Sequence, residues 1–334
     1  MASTMNSTTA TGIGGPSDKV AGGRRLHSAN RLFRALSLGA AVLVLLTFVA
    51  MFGVLFEGAW PALHQFGFDF FFTEIWNPVK ERFGILAPIG GTLITSFLAM
   101  LAAVPLGIGV AIFLTELCPR MLRRPIGIAI ELLAGIPSII YGIWGLFVFA
   151  PFFQANIQPW IIDVFADVPG LSMLFAGPPY GIGMFTASLI LAIMILPLIA
   201  SITRDVFETV PPMLKEAAYG LGCTTWEVIW NVVIPYTRTG IVGGAMLALG
   251  RALGETMAIT FVIGNAHRLS TSLFAPGTTI SAAIANEFSE AVGDLYISSL
   301  LAAGFFLFII TFVVLAAAQL MLRRLDKSTG GNRA

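Results

Sequence analysis

The sequence predicts an all-α integral membrane protein with six transmembrane helices, and three observations carry the prediction. Hydrophobic residues make up 57% of the 334 and charged residues only 11%, with a mean hydropathy of +0.87, whereas soluble domains are roughly 25% charged. Apolar runs long enough to cross a hydrocarbon core of about 30 Å recur along the chain. Lys and Arg are divided unequally between the intervening loops, as they are in proteins that take one orientation in a bilayer. The same composition excludes several chemistries. No G-x-x-x-x-G-K-[ST] sequence is present, so the chain is not expected to hydrolyse ATP itself. Cys118 and Cys223 have neither metal-ligand spacing nor a disulfide framework and read as free cytoplasmic thiols. His27, His64 and His267 are scattered, so no metal site and no bound cofactor are expected.

Residues 1–34 are rich in Ser, Thr, Gly and Ala, with Lys19, Arg24, Arg25, Arg31 and Arg34, and read as a disordered basic tail. The apolar run at 35–56 is longer than the 7–15-residue core of a signal peptide and lacks a small-residue cleavage site. It is taken as an uncleaved first transmembrane helix. Residues 57–85 form an external loop crowded with Trp60, Phe66, Phe68, Phe70, Phe71, Phe72, Trp76 and Phe83, rings that favour the membrane interface. The core, 86–322, holds five further spans at 86–114, 126–153, 180–202, 239–264 and 299–322. Asp163, Asp167, Pro169 and Gly170 interrupt 160–175, which is expected outside the membrane, lying in the interface. Residues 323–334 are a C-terminal tail.

Orientation follows from the basic residues. The N-terminal tail, the 116–125 loop (Arg120, Arg123, Arg124), the 204–238 region (Arg204, Lys215, Arg238) and the C-terminus (Arg323, Arg324, Lys327, Arg333) share one side; Lys80, Arg82 and Arg268 lie on the other. Both termini are therefore expected in the cytoplasm.

One polar stretch, 211–235, is too long for a connection between helices, which usually takes about 2–8 residues. Pro211 and Pro212 suit a first helical turn, and Met213, Leu214, Ala217, Ala218 and Leu221 recur at helical spacing. Gly222 is placed to end that helix in the left-handed conformation. Thr224 and Glu227 make a capping box for a second helix, which Pro235 is expected to end. Two readings stand: an amphipathic pair lying on lipid headgroups, or a pair that engages a partner.

The second reading gains from a resemblance. Glu216-Ala217-Ala218, three residues, Gly222, nine residues, then Val232-x-Ile234-Pro235 resembles the EAA loop of ABC importer permeases, with Val and Ile where Ile and Leu are commoner. The stretches 133–142 (LAGIPSIIYG) and 250–258 (GRALGETMA) look like sequences in permeases of the high-affinity phosphate importer, the second more like the PstC subunit than its partner PstA. The resemblance covers most of the chain from about residue 86. It implies a type I ABC importer permease-like core in a bacterial plasma membrane, whose Glu216, Ala217, Ala218, Gly222 and Pro235 couple it to a separate ATPase. It further implies a PstA-like second permease, two PstB-like ATPase subunits that use ATP and Mg, and a PstS-like extracytoplasmic phosphate-binding protein docking on the aromatic outer loops. The function implied is import of inorganic phosphate by alternating access.

Inside the fifth span, Arg251 stands 13 residues past Arg238, roughly 20 Å from the cytoplasmic face at 1.5 Å per residue, and Glu255 follows at i+4. Charges at that depth cost about 2.5–3.5 kcal/mol on insertion scales and usually face a bundle interior or an aqueous cavity. A buried salt bridge that fixes packing, involving Arg251 and Glu255 or Glu131 of the third span, and an anion route bordered by Arg251, with Glu255 holding the guanidinium, are both open. Glu131, nearer the cytoplasmic interface, is expected to snorkel. Thr92, Ser96, Ser138 and Tyr141 offer hydroxyls to the same substrate pathway. Gly240/Gly244 and Gly250/Gly254 have small-xxx-small spacing, for packing within the chain or against a second permease. An ion-coupled carrier and a non-conducting sensor are the other classes considered; inverted repeats would favour the first, and the mid-membrane charges disfavour the second.

Overall fold

A computed structural model of the protein describes the backbone of residues 16–330 and the side chains of 30–320. In chain order its principal elements are α1 (Pro16–Phe66), α2 (Leu86–Leu117), α3 (Arg120–Ala134), α4 (Ser138–Phe165), α5 (Met184–Glu208), α6 (Pro212–Gly220), α7 (Thr225–Leu253), α8 (Met257–Val262), α9 (Ile280–Glu287) and α10 (Asp294–Gly330). Among the described residues the only β-pairing is an isolated bridge, Asn77 to Arg82. Six helices there are long and apolar enough to cross a membrane: α2, α4, α5, α7, and the 30–66 and 294–320 parts of α1 and α10. Among the described residues, those up to Val54 form one unit and those from Leu55 onward another. In the first, residues 30–54 are exposed throughout, with Leu36, Leu43, Leu45 and Val49 pointing outward, as a lipid-facing helix requires.

The element boundaries depart from the sequence expectations wherever a helix breaks or runs on. Residues 16–34, expected to be disordered, are helical, while residues 1–15 and 331–334 lie outside the described part. The first helix also continues through 57–66, into the expected outer loop, despite Pro61. Its ladder is repaired by a tertiary partner: Ser298 Oγ on α10 accepts from the Ala62 N–H at 3.0 Å and donates to the Gly58 carbonyl at 2.8 Å. The hydroxyl thereby bridges the two ends of one helical hydrogen bond that a mid-helix proline spreads apart.

The expected third span, 126–153, is two elements. Gly135-Ile136-Pro137 separates α3 from α4, because a proline withdraws one N–H and pushes the preceding residue out of the helical region. The crossing helix is α4, and it takes in residues 158–165, which were expected outside the membrane. Pro235 does not end a helix. A π turn over Ile229–Val233, closed by the Ile234 N–H on the Ile229 carbonyl, changes the register just before Pro235, and α7 continues to Leu253. The expected fifth span, 239–264, is likewise interrupted, at 254–256. The C-terminal helix extends to Gly330, beyond the expected end of the last span.

Helix α5 is the centre of the second unit: 61% of its most apolar window is buried, against at most 33% for any other span. Its Ile190, Leu191, Met194, Ile195 and Ile199 meet Ala99 and Ala103 of α2, Ala248 and Ala252 of α7, and Ile259 and Val262 of α8. Glycines let the backbones close in. A Cβ on Gly107 of α2 would lie 2.7 Å from Ile199, and Cβ atoms on Gly240 and Gly244 of α7 would lie 2.5 and 2.8 Å from Val206 and Ile202. The Gly240/Gly244 face is therefore spent on packing within the chain. Gly250 faces Leu315 of α10, and Gly254 has open space around it beyond the Gly250 carbonyl.

Helix α9 was not expected from the sequence at all. Thr92 holds its first turn: the Thr92 hydroxyl accepts from the Ile280 N–H at 3.0 Å and donates to the Pro88 carbonyl at 2.8 Å. Its other end feeds an outer cluster. Glu287 accepts from Trp76 Nε1, Tyr296 Oη (2.6 Å) and His267 Nε2 (2.6 Å), and the Trp76 and His267 rings stack at 5.1 Å. Burial alone raises the Glu287 pKa, but the hydrogen bonds from His267, Tyr296 and Trp76 and the charge of His267 outweigh it and hold the carboxyl below its ordinary range. A depressed carboxyl adds stability above the unfolded value of about 4.3 and loses it as pH falls through the folded value. Glu287→Gln should therefore cost about 1–3 kcal/mol at neutral pH, measured by unfolding in detergent, and the deficit should shrink as pH drops below about 4. A deficit unchanged with pH would show that the charge of Glu287 contributes nothing.

Candidate functional site

The polar stretch folds into a helix pair on one end of the bundle. Helix α6 ends in a Schellman motif: the Cys223 N–H reaches the Ala218 carbonyl at 3.2 Å and the Gly222 N–H the Tyr219 carbonyl at 2.9 Å, with Gly222 at φ +89°. Thr224 then opens α7 through a two-way capping box, its backbone N–H donating to Glu227 Oε2 at 2.7 Å and its hydroxyl accepting from the Glu227 N–H at 3.4 Å. The bend is thus specified on both sides by local chemistry.

Packing sorts the faces of this pair. Ala218 and Cys223 rest against Ala111, Phe207, Val210, Val228, Val233 and Ile241, so α6 and the bend are packed onto α2, α5 and α7. Lys215 Nζ meets Glu116 Oε1 at 2.5 Å, and Glu116 is nearly buried. That tether between α6 and the end of α2 was not anticipated; the lysine four residues after Pro211 carried no signal of its partner. On the opposite face Glu216, Ala217, Met213, Leu221, Trp226 and Trp230 are exposed, Leu221 by 87%. Trp226 and Trp230 stack at 5.6 Å. An outward apolar ridge flanked by the exposed carboxylates of Glu216 and Glu227 suits insertion into a groove of another protein. Pro235, also exposed, lies within α7 beyond the bend.

The second part of the site lies where the two interrupted spans meet. Gly142 on α4 sits against α8, where a Cβ would lie 3.0 Å from the Met257 carbonyl and 3.1 Å from Ala258 Cα. This close approach sets the break after α3 beside the break after α7. Tyr141 locks the first, donating from its hydroxyl to the Leu133 carbonyl at 2.9 Å. Arg251 stands in the last turn of α7, just before the second break. Ser138, half-buried, opens α4.

The expected Arg251–Glu255 bridge is absent: no carboxylate lies within 4.0 Å of the Arg251 guanidinium among the described residues. The i,i+4 relation holds only within a continuous helix, and α7 ends at Leu253. Glu255 instead is buried, 8% exposed, and its Oε1 accepts from the Ala258 N–H at 3.2 Å in the first turn of α8. It supplies an acceptor that the interrupted backbone lacks. Thr92 and Ser96 are buried within the chain; Thr92 is committed to α9, and Ser96 Oγ has no hydrogen-bond partner. The structure thus brings Arg251, Tyr141 and Ser138 to one region and turns Thr92 inward. Glu131 pairs with Arg204 of α5 at 2.7 Å rather than merely snorkelling.

Comparison with known proteins accords with this geometry. A family model described as binding-protein-dependent transport system inner membrane component matches residues 103–327. The phosphate transport system permease protein PstC of Mesorhizobium japonicum is 68% identical over 307 residues, covering 92% of this chain and 94% of that protein. Its namesake in Pasteurella multocida is 58% identical over 304 residues, 91% and 95% of the two chains. Among solved structures, the chain is similar to a bacterial alginate ABC transporter in complex with an alginate pentasaccharide-bound periplasmic protein. The TM-score is 0.59 and the identity 21%, over 90% of this chain and 96% of that one, a likeness of fold. With a matching family model, extended identity to its relatives and a bundle that ends in an exposed helix pair, the chain belongs to the binding-protein-dependent transport system inner membrane components, and among them to the PstC permeases.

Proposed function

We propose that this chain is the membrane permease subunit of an ATP-driven importer of inorganic phosphate, working by alternating access with a second, PstA-like permease. The observation that carries the reading is the outward ridge of Met213, Leu221, Trp226 and Trp230 around a locally specified bend, in a chain 68% identical to a phosphate transport system permease. One of two PstB-like ATPase subunits, which use ATP and Mg, seats this ridge, with Glu216 and Ala217 at the contact and Ala218, Gly222 and Pro235 shaping it. Their closure moves α6 against the bundle. The Lys215–Glu116 tether and the apolar base of the pair carry that motion to α2 and α5.

A PstS-like binding protein delivers phosphate to the outer loops, and the anion passes the meeting point of the two interrupted spans, where Arg251 supplies positive charge. Ser138 and Tyr141 border this route; Thr92 and Ser96 support it from within the bundle. The permease lies in a bacterial plasma membrane with both termini and the α6–α7 bend in the cytoplasm, the side that holds most of its Lys and Arg. Affinity purification of the chain in mild detergent from its own cells tests the reading. An ATPase and a second permease are expected to co-purify, and the reconstituted assembly is expected to hydrolyse ATP faster when phosphate-loaded binding protein is added. Isolation of the chain without an ATPase would contradict it.

A further inference from the structure

Beside the junction of α2 and α3, four arginines turn toward one cavity of about 310 Å³. Arg120, Arg123, Arg124 and Arg204 line it with Glu131 and Glu208. The acidic groups are already engaged. Arg204 lies 2.7 Å from Glu131, 2.8 Å from Asp205 and 3.9 Å from Glu208. Arg120, Arg123 and Arg124 have no carboxylate within 4.0 Å among the described residues. Three uncompensated guanidiniums thus share one wall, a cost in mutual repulsion that an anion removes.

Arg123 adds a second observation. Its Nη2 donates to the Thr115 carbonyl at 2.5 Å, which fixes the side chain, while its Nε is buried without a hydrogen-bond partner. A buried N–H left without an acceptor is unfavourable, so the position calls for one. Planar guanidinium donors suit the oxygens of a phosphate group, which they engage in pairs. The surroundings are also specific: Met121, Leu122, Ile128, Leu132 and Leu133 of α3 are exposed beside the arginines, giving a basic hollow next to an outward apolar face. Basic pockets between membrane helices on the cytoplasmic side take anionic lipid headgroups.

We propose that this cavity binds a phosphate oxyanion, carried either by an anionic phospholipid of the cytoplasmic leaflet or by free inorganic phosphate. The site stands on its own residues and does not depend on which anion the permease transports. A neighbouring cavity of about 450 Å³ shares Arg120, Arg123 and Glu208 and is lined further on by Lys215, Glu216 and Tyr219 of α6. Occupancy therefore abuts the helix proposed to receive the ATPase.

The test uses the full chain purified in detergent. Retention of phosphatidylglycerol against phosphatidylcholine is read by native mass spectrometry, and binding of labelled inorganic phosphate by equilibrium dialysis at physiological salt. Saturable binding of about one equivalent of one probe is expected, weakened about tenfold or more in Arg120→Gln/Arg124→Gln, which removes two charge-assisted donors. Arg82→Gln, outside the cavity, should bind as the wild type does. Selective retention of phosphatidylglycerol alone assigns the lipid source, and phosphate binding without lipid selectivity assigns the free ion. Should the double variant fail to fold, Ile128→Trp, which fills the cavity and keeps every charge, is expected to lose binding instead. Saturable binding of neither probe, or undiminished binding in a folded variant, overturns the proposal.

Discussion

Arg251→Gln is expected to cut substrate uptake by about tenfold or more, while the protein assembles and unfolds much as the wild type does. The loss corresponds to one charge-assisted contact with an anion, worth roughly 1.5–3 kcal/mol. Stability should hold because Arg251 has no ion-pair partner among the described residues, so its removal leaves no carboxylate buried and alone. Glu255→Gln is expected to be mild, since an amide oxygen can still accept from the Ala258 N–H. The charge-swapped protein, Arg251→Glu with Glu255→Arg, is expected to misassemble. It would place a guanidinium at a position only 8% exposed, against the N–H groups that open α8 and with no acceptor to offer them. Uptake measured in vesicles, beside thermal unfolding of each variant, separates these outcomes. Near-normal uptake in Arg251→Gln would remove Arg251 from the anion route.

Gly222→Val is expected to uncouple ATP hydrolysis from transport while leaving the membrane helices intact. Gly222 sits at φ +89° with nothing within 4 Å of where a Cβ would go, so the damage comes from the backbone and not from a clash. A non-glycine residue in the left-handed region costs about 1–2 kcal/mol, and a β-branched side chain fares worse there. The strain is relieved by giving up the bonds of Cys223 to Ala218 and Gly222 to Tyr219, which reorients α6 against α7 and so breaks up the exposed ridge. Gly222→Asn should retain most function, because asparagine accepts this conformation at helix ends. Stimulation of the ATPase by loaded binding protein is the readout. Equal function in the Val and Asn variants would mean that the bend's geometry is not what the ATPase recognises.

The sequence by itself determined the class of molecule and its most local features. Composition and apolar run length made a six-span membrane protein legible, because the cost of exposing backbone and charge to lipid acts on each segment separately. The α6–α7 bend was legible for the same reason: Gly222, Thr224 and Glu227 act on backbone groups within a few residues of themselves. Tertiary structure decided the rest. Pro61 and Pro235 carry the same chemistry as Pro137, yet only Pro137 stands at a break. At Pro61 the Ser298 hydroxyl, 237 positions along the chain, spans the opened ladder, and at Pro235 a π turn absorbs the missing donor. Helix α9 needed the Thr92 hydroxyl, and Glu255 became a helix acceptor and not Arg251's partner because α7 stops between them. A proline or an i,i+4 charge pair sets only what a segment must resolve; whether it breaks, bends or runs through depends on which distant side chain arrives to satisfy the freed backbone groups.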